Sequence, residues 1–253
     1  MDEPVRKPPA RGVYILPNLI TTASLFSGFL GILWAISGQF ENCAVAILVS
    51  CVLDGLDGKV ARMTNTSSDF GVQFDSLCDL VAFGVSPAIM VYQWELSRFG
   101  HLGLMASFLL VACGALRLAR FNIITKTTNK KFFVGLPIPA QACTVATFYL
   151  FAQYLPTEWQ AYMPKFCLGM VYILSFLMVS RVRYASFKEY GLIKAHPFSM
   201  MVTAILLFVL VASQPKLLGF LIFAGYILSG IIYTYLILPR RAAVREPSEE
   251  LPS

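Results

Sequence analysis

Residues 41–94 read ENCAVAILVSCVLDGLDGKVARMTNTSSDFGVQFDSLCDLVAFGVSPAIMVYQW. Two apolar runs flank a polar hinge. Asp54 and Asp57 close the first run, and Asp75 and Asp79 open the second. Each run has the length of a helix that crosses a bilayer, about 20 residues. A carboxylate beside or inside such a helix costs several kcal/mol unless it is paired, so each marks a candidate functional site. Asp54 and Asp57 are spaced i, i+3, and Asp75 and Asp79 are spaced i, i+4. Each pair therefore projects from one face of its helix. The helices are consecutive and antiparallel, so the pairs lie at similar depth and converge.

Four carboxylates this close cannot all stay ionised without cations. Hard oxygen ligands suit magnesium, manganese or calcium, whereas zinc favours His or Cys. The two histidines, His101 and His196, lie far away in sequence and read as interfacial or loop residues. Gly55 and Gly58 leave the helix backbone open to a bulky group. Lys59 and Arg62 put positive charge at the mouth, where a diphosphate could be clamped. Each of these features also has a plainer reading. Small residues serve helix packing in membranes, and a basic residue at a helix end anchors it at the interface.

The rest of the chain fits a membrane protein. Of its 253 residues 57% are hydrophobic and 13% charged, and the mean hydropathy is +0.67. A soluble domain is about 45–50% apolar. The apolar excess falls into eight blocks: residues 14–37, 41–61, 71–94, 102–121, 136–155, 162–180, 197–213 and 217–238. The expected fold is all-α, a polytopic bundle of about eight transmembrane helices. Residues 1–13 form an N-terminal segment, 14–238 one membrane domain and 239–253 a polar, disordered tail. The first block is read as a retained span and not a cleaved signal. The six cysteines lie singly in apolar stretches with no CxxC spacing, as buried small hydrophobes do.

The net charge is +6. All of the 20 basic residues except Arg98, Lys165 and Lys216 collect on one side of the eight-span arrangement. That bias places both termini in the cytoplasm, with the aspartates facing it. The basic residues set topology and meet anionic headgroups, so no nucleic-acid partner is expected.

Residues 54–79, DGLDGKVARMTNTSSDFGVQFDSLCD, resemble the signature of the CDP-alcohol phosphatidyltransferase family, D-x2-D-G-x2-A-R-x8-G-x3-D-x3-D. Asp54, Asp57, Gly58, Ala61, Arg62, Gly71, Asp75 and Asp79 fill every fixed position. The resemblance implies displacement of CMP from a CDP-linked lipid by an alcohol, in the cell (inner) membrane and at its cytoplasmic face. It implies Asp54, Asp57 and Asp75 as metal ligands and Asp79 as general base, also touching metal. Two ions, Mg2+ or Mn2+, would act on the diphosphate. Gly58, Ala61 and Arg62 would line the cytidine diphosphate site, with Asn18 and Thr21 from PNLITTAS and Ser68 as further contacts to CDP-diacylglycerol. Members of the family are often homodimers, which makes a second copy a candidate partner beside membrane lipids.

GALRLARFN (114–122) and FVGLPIPAQA (133–142) resemble the bacterial phosphatidylserine synthases of that family. The N-terminal PNLITTASLFSGFLGI and the later SFLMVSRVRYASFK do so too. The implied acceptor is L-serine and the implied donor CDP-diacylglycerol. A zwitterionic acceptor needs a cation for its carboxylate. Arg117 and Arg120, i and i+3 at the cytoplasmic end of the fourth block, are candidates, and Lys131 is a further acceptor or phosphate contact. Pro137 and Pro139 are expected to shape the start of the fifth helix. Two rival readings stand beside this one. The same fold could take another alcohol, such as glycerol 3-phosphate or an inositol phosphate, though a phosphorylated acceptor wants more cations. A divalent-cation transporter could use the same carboxylates, but transporters often show internal repeats and midplane sites.

Overall fold

The computed structural model describes residues 15–64, 68–127, 133–184 and 215–237. These residues are helical apart from short connections and one two-residue strand pairing. Helix α1 runs Ile15–Ile36 and α2 runs Phe40–Thr64, joined by a tight turn at Gly38, whose φ of 74° favours glycine. Helix α2, at 25 residues, outruns its expected span of 41–61. Asp54 and Asp57 therefore lie inside a continuing helix and not at its last turn.

The third span is a stack of three pieces. Helix α3 covers Asp69–Asp79, a π-helical segment covers Leu80–Val85, and α4 covers Ser86–Trp94. Pro87 accounts for the wide turn. It offers no N–H to the carbonyl four residues back, and its ring crowds that carbonyl. The Ser86 N–H instead reaches the Val81 carbonyl, five residues back. The π segment begins immediately after Asp79, and such segments recur at functional sites.

Helix α5 follows as His101–Thr127, after a short 3-10 turn at Leu96–Phe99. Strand β1 (Phe133–Val134) then pairs antiparallel with β2 (Arg183–Tyr184), Phe133 opposite Tyr184. Between them lie α6 (Ile138–Ala152), a single turn α7 (Thr157–Gln160) and α8 (Met163–Val179). Pro137 is the N-cap of α6 and Pro139 lies in its first turn, where neither costs a helical hydrogen bond. Helix α9 (Pro215–Ile232) closes the described chain and ends in a π turn, Tyr233–Ile237.

Among the described residues, four segments are long and apolar enough to cross a membrane: 16–36, 69–94, 101–123 and 217–235. Helices α6 and α8 are apolar but shorter. Helix α2 carries Glu41, Asp54, Asp57, Lys59 and Arg62. The expected span 197–213 lies outside the described residues. The protein is thus an all-helical membrane protein, with large apolar side chains such as Leu19, Phe26 and Phe29 on its outer face.

The core is built by close approach. A Cβ added at Gly28 of α1 would stand 2.6 Å from the Ala82 Cα, and one at Gly31 would stand 2.7 Å from Ser86 Oγ. Glycine at these positions lets α1 lie directly on the third span. Phe83, Ile138, Leu110 and Leu174 fill the centre behind it and are fully or nearly fully buried. All six cysteines are free, and five are buried.

Candidate active site

Serines set the register of α1 on α2. Ser24 Oγ donates to the Ser50 carbonyl at 3.1 Å, and Ser50 Oγ returns the bond to the Ser24 carbonyl at 3.0 Å. Ser27 Oγ donates to the Ala46 carbonyl at 3.0 Å. Both Ser24 and Ser50 are buried, where an unmade hydrogen bond is costly. One turn beyond Ser24, this register brings Thr21 Oγ1 to 2.7 Å from Asp57 Oδ2, and the Pro17 carbonyl lies 3.0 Å away. Asp57 is 5% exposed. The hydroxyl donates to its carboxylate and holds Oδ2 in place.

The carboxylate pairs of α2 and α3 meet. Ligand oxygens of Asp54, Asp57 and Asp75 all lie within 4.8 Å of one another. Asp79 stands within hydrogen-bonding reach of Asp54 and beside Asp75. Three convergent carboxylates repel one another in a half-buried setting, and a divalent cation relieves that repulsion. The donors are all oxygens, and among the described residues no histidine joins them, which fits a hard cation. The group can therefore hold a metal ion.

The remaining sequence-predicted residues fall into three sets. The first surrounds the aspartates. Arg62 folds back so that a Cβ on Gly58 would lie 3.5 Å from its Nη1, and its charge acts on Asp57. Gly55 has nothing within 4 Å of where its Cβ would stand. Ala61 is half-buried. Ser68 caps α3, accepting a 3.0 Å bond from the Gly71 N–H. A Cβ on Gly71 would lie 3.2 Å from Ser68 Oγ and 3.6 Å from Asn18 Oδ1. Asn18, Ser68 and the start of α3 thus share one corner.

The second set is the α5 arginines, which part company. Arg117 is half-buried, its enclosed Nε has no hydrogen-bond partner, and its charge acts with Asp79 and Tyr226. Arg120 is exposed. The third is Lys131, which lies outside the described residues.

Two contacts near the aspartates are absent from the sequence reading. Asn122 Nδ2 donates to Ser76 Oγ at 2.9 Å and to Gln73 Oε1 at 3.3 Å. It ties α5, which carries Arg117, to α3, which carries Asp79. Asn122 stands at the end of GALRLARFN, so its place in the motif was visible while its partner on α3 was not. The thiols of Cys51 and Cys143 meet between α2 and α6, next to Asp54. No local spacing signals that contact.

Comparison with known proteins agrees with this site. The pattern described as CDP-alcohol phosphatidyltransferase matches residues 14–171. A CDP-diacylglycerol--serine O-phosphatidyltransferase of Helicobacter pylori is 45% identical over 182 residues, covering 72% of this chain and 76% of the relative. An archaetidylserine synthase of Methanothermobacter thermautotrophicus is 37% identical, covering 67% of this chain and 69% of that one. A CDP-diacylglycerol--serine O-phosphatidyltransferase of Methanocaldococcus jannaschii is 35% identical, covering 70% and 77%. With its aspartates gathered between α2 and α3 and a match over most of its length, the chain belongs to the CDP-alcohol phosphatidyltransferase family.

Proposed function

We propose that the protein transfers a phosphatidyl group from CDP-diacylglycerol to L-serine, giving phosphatidylserine and CMP. The observation that carries this reading is the division among the four aspartates. Ligand oxygens of Asp54, Asp57 and Asp75 come together as a set that could hold an ion, and Asp79 stands beside Asp54, within electrostatic range of Arg117. The named relatives point to serine as the acceptor.

Asp54, Asp57 and Asp75 would hold the metal, with Asp79 touching it, and two ions, Mg2+ or Mn2+, suit the donor set. When bound, the cations supply charge neutralisation on the diphosphate and on the departing CMP. Thr21 fixes the Asp57 carboxylate for that task. The bare backbone at Gly55 and Gly58, with Arg62 folded over the latter, forms a surface for the cytidine diphosphate. Asn18, Ala61 and Ser68 border it.

The serine hydroxyl oxygen attacks the lipid-side phosphorus, and the bond from that phosphorus to the CMP oxygen breaks. Asp79 accepts the hydroxyl proton as the new bond forms. Arg117 offers its guanidinium to the serine carboxylate. Arg120 and Lys131 would serve the lipid phosphate or headgroups at the surface. The acyl chains stay in the bilayer, and the site opens to the cytoplasm of the cell (inner) membrane. Eight spans with both termini inside complete the arrangement.

The test is release of CMP from CDP-diacylglycerol by the purified protein, with L-serine, glycerol 3-phosphate and inositol phosphate offered in turn under Mg2+ or Mn2+. Release that requires serine and is abolished by Asp79→Asn supports the reading. Release that ignores serine overturns the choice of acceptor.

A further inference from the structure

The mechanism uses Arg117 but leaves three other buried polar side chains unexplained. Among the described residues, the buried side-chain atoms with no hydrogen-bond partner are Glu95 Oε2, Arg117 Nε, both amide atoms of Gln141 and Tyr184 Oη. Glu95 lies at the far end of the third span, where Arg98 Nε stands 3.3 Å away. The other three residues come from α5, α6 and β2. Gln141 is fully buried and Tyr184 is 1% exposed.

Tyr226 on α9 links Tyr184 to Arg117. Its ring centroid lies 5.4 Å from that of Tyr184, and it is within electrostatic range of Arg117, which is in turn within range of Asp79. Gly230, one turn further along α9, makes room for Tyr184, since a Cβ there would overlap its ring. Helices α6 and α9 pack together; α6 starts just after β1, and Gly230 near the end of α9 meets Tyr184 of β2, so the two run antiparallel. Phe148 meets Phe220, and a Cβ on Gly219 would lie 3.2 Å from Thr147 Cγ2. Carried along that pairing, Gln141 lies level with Tyr226.

The face of α6 that bears Gln141 also bears Ile138, one turn earlier. Ile138 Cδ1 would lie 2.7 Å from a Cβ on Gly114 of α5. Gln141 therefore looks toward α5 as well as α9. Side chains on a helix lean toward its N-terminus. Arg117 on α5 leans away from the cytoplasm, and Gln141 on the antiparallel α6 leans toward it, so the two approach each other.

Buried polar atoms in a native protein almost always have partners, and a cluster without them calls for a ligand or ordered water. The cluster here offers a fixed cation from Arg117, a carbonyl acceptor from Gln141 and a hydroxyl from Tyr184 that can donate or accept. A carboxylate beside an ammonium uses all three. We propose that Gln141 and Tyr184, with Tyr226 as the wall between α9 and Arg117, form a zwitterion pocket behind Asp79 that selects the amino-acid acceptor. Arg117 takes the carboxylate of serine, while Gln141 Oε1 and Tyr184 Oη take its ammonium. The hydroxyl of serine is left to face Asp79. The pocket rests on the serine reading above. It adds the residues that would reject alcohols lacking an ammonium group, because such an acceptor leaves the buried oxygens unmade.

The experiment is steady-state kinetics of CMP release with L-serine and CDP-diacylglycerol each varied, for wild type, Tyr184→Phe and Gln141→Leu. Each variant should raise the KM for serine about 10- to 100-fold, the loss of one hydrogen bond to a charged group. The KM for CDP-diacylglycerol should stay within about 2-fold, because a purely structural defect would move both. Serine KM unchanged in both variants overturns the pocket while leaving serine transfer standing. Equal loss toward both substrates also overturns it. Absence of any serine dependence in wild type overturns the acceptor reading and the pocket with it. If Tyr184→Phe fails to accumulate in membranes, Gln141→Leu decides by the same split. If neither accumulates, the side chains are structural and the proposal fails.

Discussion

Thr21 reaches across from α1 to hold Asp57 at 2.7 Å, so one hydroxyl sets the aim of one carboxylate. A hydrogen bond to a charged group contributes about 1.5–3 kcal/mol. Thr21→Val keeps the shape and removes the bond. It should lower kcat/KM about 10-fold and raise the divalent metal concentration needed for half-maximal activity, and Thr21→Ser should restore both. A metal titration of CMP release measures this; a Val variant with wild-type metal dependence would show that Thr21 leaves Asp57 unaffected. The aspartates themselves were legible because spacings of three and four residues fix a helix face without knowledge of the neighbours. The Thr21–Asp57 bond was not, because it depends on how far α1 slides along α2. That slide is set by the Ser24–Ser50 exchange and by Ser27, and serines in an apolar run carry no mark of their partners. Gln141 and Tyr184 were hidden for the same reason: one lies on α6 and the other after α8.

At the scale of the elements, α1 against the third span is the packing on which the site depends. The missing Cβ of Gly28 is the clearest requirement, since the nearest atom is the backbone of Ala82 at 2.6 Å, which cannot swing aside. Gly28→Ala should therefore destabilise the protein by about 1–3 kcal/mol, the usual cost of overpacking a tight contact. Thermal unfolding in detergent measures this, and an unchanged Tm would contradict the close approach. The bounds of the spans follow apolar length well at α8, expected at 162–180 and found at Met163–Val179, whereas α5 runs past its expected end at 121 to Thr127. They fail where local chemistry intervenes. Helix α2 carries on through its charged residues to Thr64, because Gly58, Lys59 and Arg62 can continue a helix at the interface. The third span widens after Asp79 because Pro87 cannot supply its N–H. The two-residue pairing of β1 with β2 joins segments too short for any strand periodicity.

At the scale of the whole molecule, the bias of basic residues is the strongest statement about orientation. Lys7→Cys should be protected from a membrane-impermeant thiol reagent in intact cells, and Ser97→Cys should be labelled. The reverse pattern would invert the proposed topology and place the aspartates on the wrong face for a cytoplasmic nucleotide. The overall class, an all-helical membrane protein, was visible in composition alone, because no soluble chain of this length could cover so much apolar surface. The expected membrane domain of 14–238 runs past the family match, which ends at residue 171. The residues beyond it bring Tyr184 and Tyr226 together and Tyr226 within electrostatic range of Arg117, so the proposed pocket draws on residues past the family match.

Serine-dependent release of CMP, compared between wild type and Asp79→Asn in the same membranes with Mg2+ or Mn2+ supplied, tests the central claim most directly. Wild type should release CMP only when CDP-diacylglycerol, serine and the metal are all present. Asp79→Asn should lose at least about 100-fold, the scale of general base catalysis, while still being inserted in the membrane. Serine-dependent release that persists undiminished in Asp79→Asn would contradict the division of the aspartates into three ligands and one base.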